Sequence, residues 1–398
     1  MKNFIYYGTL LIGISSIIQW CTLPLSNTFI WWLISGIYII ACYKQKIRIN
    51  IIPINLFIAY LFISAIYGAF YMATNYWDWK LLASNLLFTS LLLCTYYFSN
   101  PIQLSRTLQV WYKYGWIIFI FLIPFLASDA FGRYLIPYSF LAMFITIIKK
   151  KYYIILIGIA FLITYYWGYE DRSSTIKFVV SLCLGLSLII WNIWKNISDK
   201  IFKILHCILI LFPIVFSILG ISGIFNILNI KEELNIEDTD KRTEYGGLTD
   251  TRTGLYVEEI TSAIDHNYVL YGRSIARGYD SIMFGDAIDK AMGIKRGERP
   301  QCEVCILNIF NYMGIIGVLL YFLIFLSASY KAIYQSNNQY VKIIGLYVAF
   351  RWVYSFIHDG IEFNLNFLFI IISLSICYSP YFRKMSEKEF KLFINKSI

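Results

Sequence analysis

Long apolar runs, broken only by short polar stretches, recur along almost the whole chain, and this limits its fold more than anything else. A run of about 18 residues with few charges can cross a bilayer as a helix. Only 15% of the residues are charged and 59% are hydrophobic. Soluble domains carry about a quarter charged and about half apolar residues. Length alone would suggest two or three soluble domains, but the apolar runs overrule it. The expected fold class is an all-α polytopic membrane protein with about twelve transmembrane helices.

Spans are predicted near 4–20, 29–43, 51–72, 80–98, 115–128, 134–148, 152–168, 176–194, 204–226, 304–329, 341–357 and 365–379. No small-residue cleavage site follows the first, so it is read as a retained helix rather than a signal peptide. The net charge of +10 is scattered in short clusters between spans, a pattern that suits membrane orientation and not nucleic-acid binding. Lys44, Lys46 and Arg48, then Lys149, Lys150 and Lys151, then Lys195, Lys200 and Lys203, then Lys331, and finally Arg383 and Lys384 mark every second connection. Basic connections stay in the cytoplasm, which places both termini there.

One connection stands apart. The chain divides into 1–227 with nine spans, a large polar loop over 228–302, and 303–398 with three spans and a cytoplasmic tail. Structureless loops beyond about 15 residues are usually functional or disordered, and this one carries helical patterning. Asp250 is placed to cap a stretch with Leu255, Tyr256, Ile260, Ala263 and Ile264. Asp280 or Ser281 is placed to cap a second with Ile282, Phe284, Ala287, Ile288 and Ala291, stopped by Gly293. An ordered external cap is expected. No internal repeat is visible, and the single loop breaks the half-to-half symmetry common in secondary transporters.

The external connections hold the candidate chemistry. Arg172 precedes Ser173 and Ser174 ahead of a span; Arg252 lies early in the loop; Arg273 and Arg277 stand among Gly272, Gly278 and Tyr279. Glu303 sits where the loop meets the tenth span, and His358, Asp359 and Glu362 occupy the last external connection. Arginines contact phosphate oxygens in bidentate fashion and stay charged when partly buried. Three or four of them at the interface can hold a lipid-linked diphosphate and stabilise its charge as it leaves. A carboxylate can take the proton of an attacking sugar hydroxyl. Each residue has a plainer alternative: an interfacial anchor for Arg172, a salt bridge to Glu258 or Glu259 for Arg252, a turn for the glycines, simple exposure for Glu303. Tyr76, Trp77, Trp79 and Tyr279 suit sugar stacking or the aromatic belt equally.

Other chemistry has no support. Cys302 and Cys305 form a CxxC pair without a second pair, read as a surface disulfide or two free thiols. His206, His266 and His358 share no metal-ligand spacing, and His206 reads as a hydrogen-bonded core residue. Neither a metal nor a cofactor is expected. No Walker loop, dinucleotide fingerprint or Ser-His-Asp order appears.

In this order and placement the motifs resemble the O-antigen polymerase and ligase superfamily (Wzy-type polymerases, WaaL-type ligases). The likeness rests on the span count, the large late loop, Arg172-Ser173, Arg252 with Leu255, and the Gly272-Arg273 and Arg277-Gly278 steps. Ligases of that family carry a His ahead of a Gly-x-x-Gly; here Gly314 and Gly317 supply the glycines, and Glu303 stands at the His position. That departure favours a polymerase. The resemblance implies an inner-membrane enzyme, with its loop in the periplasm, that joins undecaprenyl-diphosphate-linked repeat units without a metal. Arg172, Arg252, Arg273 and Arg277 would hold the diphosphate, Glu303 would be the base, and a chain-length regulator would be an accessory partner. A ligase acting on lipid A core and a flippase for the lipid-linked unit are the alternatives.

Overall fold

In the computed structural model the described residues are 2–149 except 25, then 172–193, 195–221 and 251–398 except 359, with isolated positions 152, 155, 156, 158 and 159. Most of the seventh expected span (152–168), Asp359, and 228–250 with Asp250 lie outside them. The fold is almost wholly helical. Among the described residues the only strands are β1 (Tyr279–Asp280) and β2 (Glu298–Arg299), which pair antiparallel.

Five helices are long and apolar enough to cross a membrane: Ile52–Met72, Tyr76–Phe98, Pro101–Phe125, Asp199–Gly220 and Cys305–Tyr334. Three shorter apolar helices accompany them, Thr28–Lys44, Ser173–Ile189 and Leu365–Tyr378. In chain order we label α1 (Lys2–Ser15), α2 (Thr28–Lys44), α3 (Ile52–Tyr67), α4 (Tyr76–Ser90), α5 (Pro101–Leu122), α6 (Ser128–Tyr134) and α7 (Ile136–Ala142). There follow α8 (Arg172–Ile193), α9 (Lys195–Ile221), α10 (Thr251–Asp265), α11 (Gly285–Met292), α12 (Cys305–Tyr334), α13 (Gln339–Tyr354), α14 (Leu365–Tyr378), α15 (Pro380–Lys384) and α16 (Glu387–Ser397).

α12 is the hub, packed on α13 and α3, while α13 also meets α9 and α14. α9 shows why water is a poor solvent for this bundle. Ile201, Ile204, Ile208, Leu211, Val215 and Ile218 recur at helical spacing and are all exposed, whereas Phe202, His206 and Ile210 are buried. Such an apolar stripe suits lipid. His206 bonds Ser329 on α12 at 2.9 Å, the core role expected for it.

Two boundaries differ from expectation. α5 starts at Pro101 instead of 115, because Asn100 caps it and Pro is at home in a first turn. Its first half is amphipathic, with Arg106 and Lys113 exposed while Leu104, Leu108 and Trp111 are buried, so the charges hide the helix from a search for apolar runs. α7 is short. Its chain continues as tight turns where α8 packs so closely that a Cβ on Gly185 would sit 2.4 Å from the Ala142 carbonyl.

α12 is interrupted at Gly314 (φ 61°, ψ −163°), backbone open only to glycine. A broken helix at this depth must satisfy its freed polar groups with protein. The segment 268–273 does that. Val269 and Leu270 carbonyls accept from Ile315 and Ile316 N–H, and Arg273 N–H donates to the Asn311 carbonyl. The Ser64 hydroxyl donates to the Tyr312 carbonyl at 2.9 Å, which brings in α3.

The loop end is a compact cap. α10 forms where the sequence places it. α11 starts at Gly285, later than a cap at Asp280 or Ser281 predicts. Asp280 is drawn into β1, and the Ser281 hydroxyl accepts from Phe284 N–H in the turn ahead of the helix. Gly293 ends α11 in the left-handed conformation. Glu258 on α10 accepts from the Ser281 hydroxyl and Met283 N–H, joining the two helices. Trp77 donates its indole N–H to the Met292 carbonyl, and Arg296 pairs with Asp78 at 2.8 Å, so the cap is fastened to the start of α4. At the other end of the bundle the C-terminal tail folds as α16 against α5, with Phe390, Phe393 and Ile394 buried. A Ser386–Glu389 capping box starts that helix.

Candidate functional site

Two adjoining hollows lie under the cap. The larger, about 440 Å³, has aromatic walls (Trp20, Trp31, Trp77, Phe88 and Phe363) set with Asp78, Asn85, Arg296 and Gln301. The smaller, about 110 Å³, is polar, lined by Ser173, Ser174, Lys177, Cys302, Glu303 and His358. Ser16, Arg133, Glu362 and Asn364 line both and mark where the two meet.

The cations here lie against aromatic rings. Arg133, on the last turn of α6, has its guanidinium 5.2 Å from the Trp20 ring. It makes no ion pair with any described residue. Lys177, on α8, is only 3% exposed and its ammonium lies 5.1 Å from the Tyr354 ring. Behind the smaller hollow Arg351, buried on α13, donates to the Tyr347 hydroxyl and to Asn366 Oδ1 at 2.7 Å. Asn366 itself lines the hollow. A partly desolvated pocket with two facing cations and two serine hydroxyls suits an anion of phosphate size.

The sequence-derived residues divide between this site and the cap. Glu303 faces the smaller hollow, is 57% exposed, and accepts from Arg299 Nη2 at 2.9 Å. Arg172 begins α8, one residue before Ser173 and Ser174; its side chain lies outside the described residues. Arg252 occupies the first turn of α10, within electrostatic reach of Tyr256, whose hydroxyl donates to the Phe356 carbonyl. Glu258 accepts from Ser281 and Met283, and Glu259 accepts from the Tyr268 hydroxyl at 3.5 Å. Arg273 and Arg277 converge, but on Glu298. Arg277 donates to it through Nε and Nη2; Arg273 lies 3.2 Å from it and donates to Asp280 at 2.7 Å. Their charge is met within the cap, and neither lines a hollow, though Gly278 and Glu298 do. Trp77 lines the larger hollow, Tyr76 and Trp79 are exposed, and Tyr279 is buried.

Sequence reasoning missed Arg133, Lys177 and Arg351. Lys177 and Arg351 were readable as single charges within mainly apolar stretches, a placement that is costly and so usually has a job. Cys302 and Cys305 are buried and not joined by a disulfide, and burial pushes the Cys302 thiol up to about 12. Among the described residues no three His, Cys, Asp or Glu side chains gather as metal ligands.

Two acids in the cap titrate in opposite directions. Burial raises the Asp280 carboxyl, but hydrogen bonds from Arg273 and His266 outweigh it and hold it below the usual range. Glu259 is fully buried with Oε2 unpartnered, and burial drives its carboxyl well above the usual range despite Arg273 nearby. Its folded form binds a proton that the unfolded chain releases, so its contribution to stability declines as pH rises above about 4.3. Glu259→Gln, which mimics the protonated acid, should therefore raise the thermal midpoint at pH 8 relative to wild type and leave it unchanged near pH 4. An equal shift at both pH values would show that Glu259 is not protonated on folding.

The chain matches no family model, no curated protein and no solved structure.

Proposed function

We propose that this protein is a membrane glycosyltransferase that joins undecaprenyl-diphosphate-linked oligosaccharide repeat units into a polysaccharide at the outer face of the bacterial inner membrane. The observation that carries the proposal is the meeting of an aromatic-walled hollow with a cation-lined one at Arg133 and Glu362. Sugars bind by stacking their apolar faces on aromatic rings while planar polar groups take the hydroxyls, and Trp31, Trp77, Asn85 and Gln301 offer that combination. A diphosphate seated in the smaller hollow would meet Lys177, Arg133, Ser173 and Ser174. Its developing charge would be stabilised where water is partly excluded, so the cations act more strongly than in solution. Glu303 and Glu362 both face that hollow and are the candidates to take a hydroxyl proton.

Exposed apolar helix faces keep the lipid carrier beside the bundle, and the cap covers the sugar end. Arg273 and Arg277 then act on the reaction through the shape of the cap, by anchoring Gly278 and Glu298 in the wall of the larger hollow.

The test is a purified, reconstituted protein given a synthetic undecaprenyl-diphosphate repeat unit. Lengthened lipid-linked products, resolved as a ladder by mass, are the expected result. Arg133→Ala and Lys177→Ala should each slow lengthening by about 100- to 1,000-fold, the range of losing one charge-stabilising group. Folded protein that moves the lipid-linked unit across vesicles but never lengthens it would replace this reading with a flippase.

A further inference from the structure

We propose that Glu362, and not Glu303, is the general base of this site, an assignment that rests on the glycosyl-transfer reading above. The two acids differ in place and in pairing. Glu303 lines only the smaller hollow and shares an oxygen with the Arg299 guanidinium at 2.9 Å. That oxygen is already occupied by a donor of the protein itself and is less open to a substrate hydroxyl. Arg299 is itself only 10% exposed and lies 4.1 Å over the Phe284 ring, so the pair belongs to the cap's own framework.

Glu362 lines both hollows and stands opposite no described cation at ion-pair distance. Its Oε2 accepts one hydrogen bond, from Asn364 Nδ2 at 2.8 Å. Oε1 lies on the side of Gly360 and Gln301, where a Cβ on Gly360 would still stand at ordinary contact distance. The carboxylate is thus oriented through one oxygen, with the other available to a hydroxyl.

Its support is rigid, as a base that must meet a substrate atom requires. Asn364 caps α14 by accepting from Phe367 N–H. The Ser16 hydroxyl accepts from Leu365 N–H, and Ser15 donates to the Phe363 carbonyl. Ser15, the last residue of α1, and Ser16 just beyond it therefore clamp the residues on either side of Asn364.

Glu362 and Arg133 face the same opening, which sets the order of events. The Glu362 carboxylate takes the proton of an acceptor sugar hydroxyl in the larger hollow. That oxygen's electron pair forms the new bond to the anomeric carbon. The bond from that carbon to the phosphate oxygen breaks, and its pair leaves on the lipid diphosphate beside Arg133 and Lys177. The proton then passes from Glu362 to solvent, so no further reactant is needed. Attack from the side opposite the diphosphate inverts the anomeric centre.

The experiment uses the full-length reconstituted protein, with single-turnover transfer and binding of undecaprenyl diphosphate itself measured across pH. General base catalysis is worth about 10²- to 10⁴-fold. Glu362→Gln should lose transfer by that factor, keep undecaprenyl diphosphate affinity within about twofold, and lose the acidic limb of the pH–rate profile. Glu362→Asp, which keeps the carboxylate, should retain that limb at a reduced rate and so guards against a folding defect. Glu303→Gln should keep the acidic limb, whatever it does to the rate. An acidic limb that survives in Glu362→Gln, or one that vanishes in Glu303→Gln, overturns the assignment while leaving the transferase reading intact. A wild-type protein that transfers nothing overturns both.

Discussion

Glu298→Ala is expected to cost about 3–5 kcal/mol of cap stability, the usual penalty for removing one partner from a buried ion pair. Glu298 stands between Arg273 and Arg277, and the three side chains are only 9%, 11% and 17% exposed. Without it two guanidinium groups would remain in a poorly hydrated place, with Asp280, on Arg273, the only described carboxylate left at ion-pair distance. The damage should spread, because Glu298 is also half of the two-residue hairpin that pairs with Asp280 and closes the loop. Thermal unfolding in detergent and protease resistance of 266–301 would register the loss. Glu303→Ala is the comparison: Glu303 is more than half exposed and holds one guanidinium where Glu298 holds two, so its loss should cost clearly less. Similar losses in the two variants would mean that the Arg273–Glu298–Arg277 cluster does not hold the cap.

That cluster also shows where a sequence stops being readable. The two arginines were visible as a pair beside glycines, but their carboxylate lies 21 residues beyond Arg277, brought back by two strands too short to leave a pattern. α10 and α11 were legible because a polar loop sets off a helical apolar face, and because Gly293 stops the second. Within the apolar bundle the same contrast works in reverse. Lys177 sits in a helix that otherwise reads as a span, and one charge barely alters the average of a window. Only the cost of placing a charge there singles it out. Arg133 was legible in another way, as a lone cation in a connection that the basic clusters assign to the opposite side from themselves. The sequence analysis named Glu362 but put the base at Glu303; the pairing of Glu303 with Arg299 was not legible, because it depends on how the loop folds. The C-terminal helix carried a capping box and a Phe390–Phe393–Ile394 face, signals hidden only by its reading as a tail.

Gly314→Ala should be the most damaging single-methyl change in the chain. Its backbone lies in a region essentially closed to other residues, which costs about 1–3 kcal/mol before any contact is counted. The added Cβ would also fall 2.3 Å from the Leu270 carbonyl oxygen, inside the crossing where Gly272, at φ +80°, meets α12. Neither backbone can retreat alone. Moving segment 268–273 away would strip the Ile315 and Ile316 N–H groups of their acceptors, at about 1–3 kcal/mol for each group left buried and unpaired. It would also drag Arg273, bonded to the Asn311 carbonyl, out of the cap's ion-pair cluster. Gly293→Ala separates backbone strain from crowding, because that glycine has φ +67° with open space around its Cβ position. We expect Gly293→Ala to fold and lose about 1–2 kcal/mol, the ordinary cost of left-handed backbone. Gly314→Ala should fail to accumulate in membranes, or unfold at a far lower temperature. If the two variants accumulate and unfold alike, the loop does not thread the break in α12, and the cap has no fixed seat above the site.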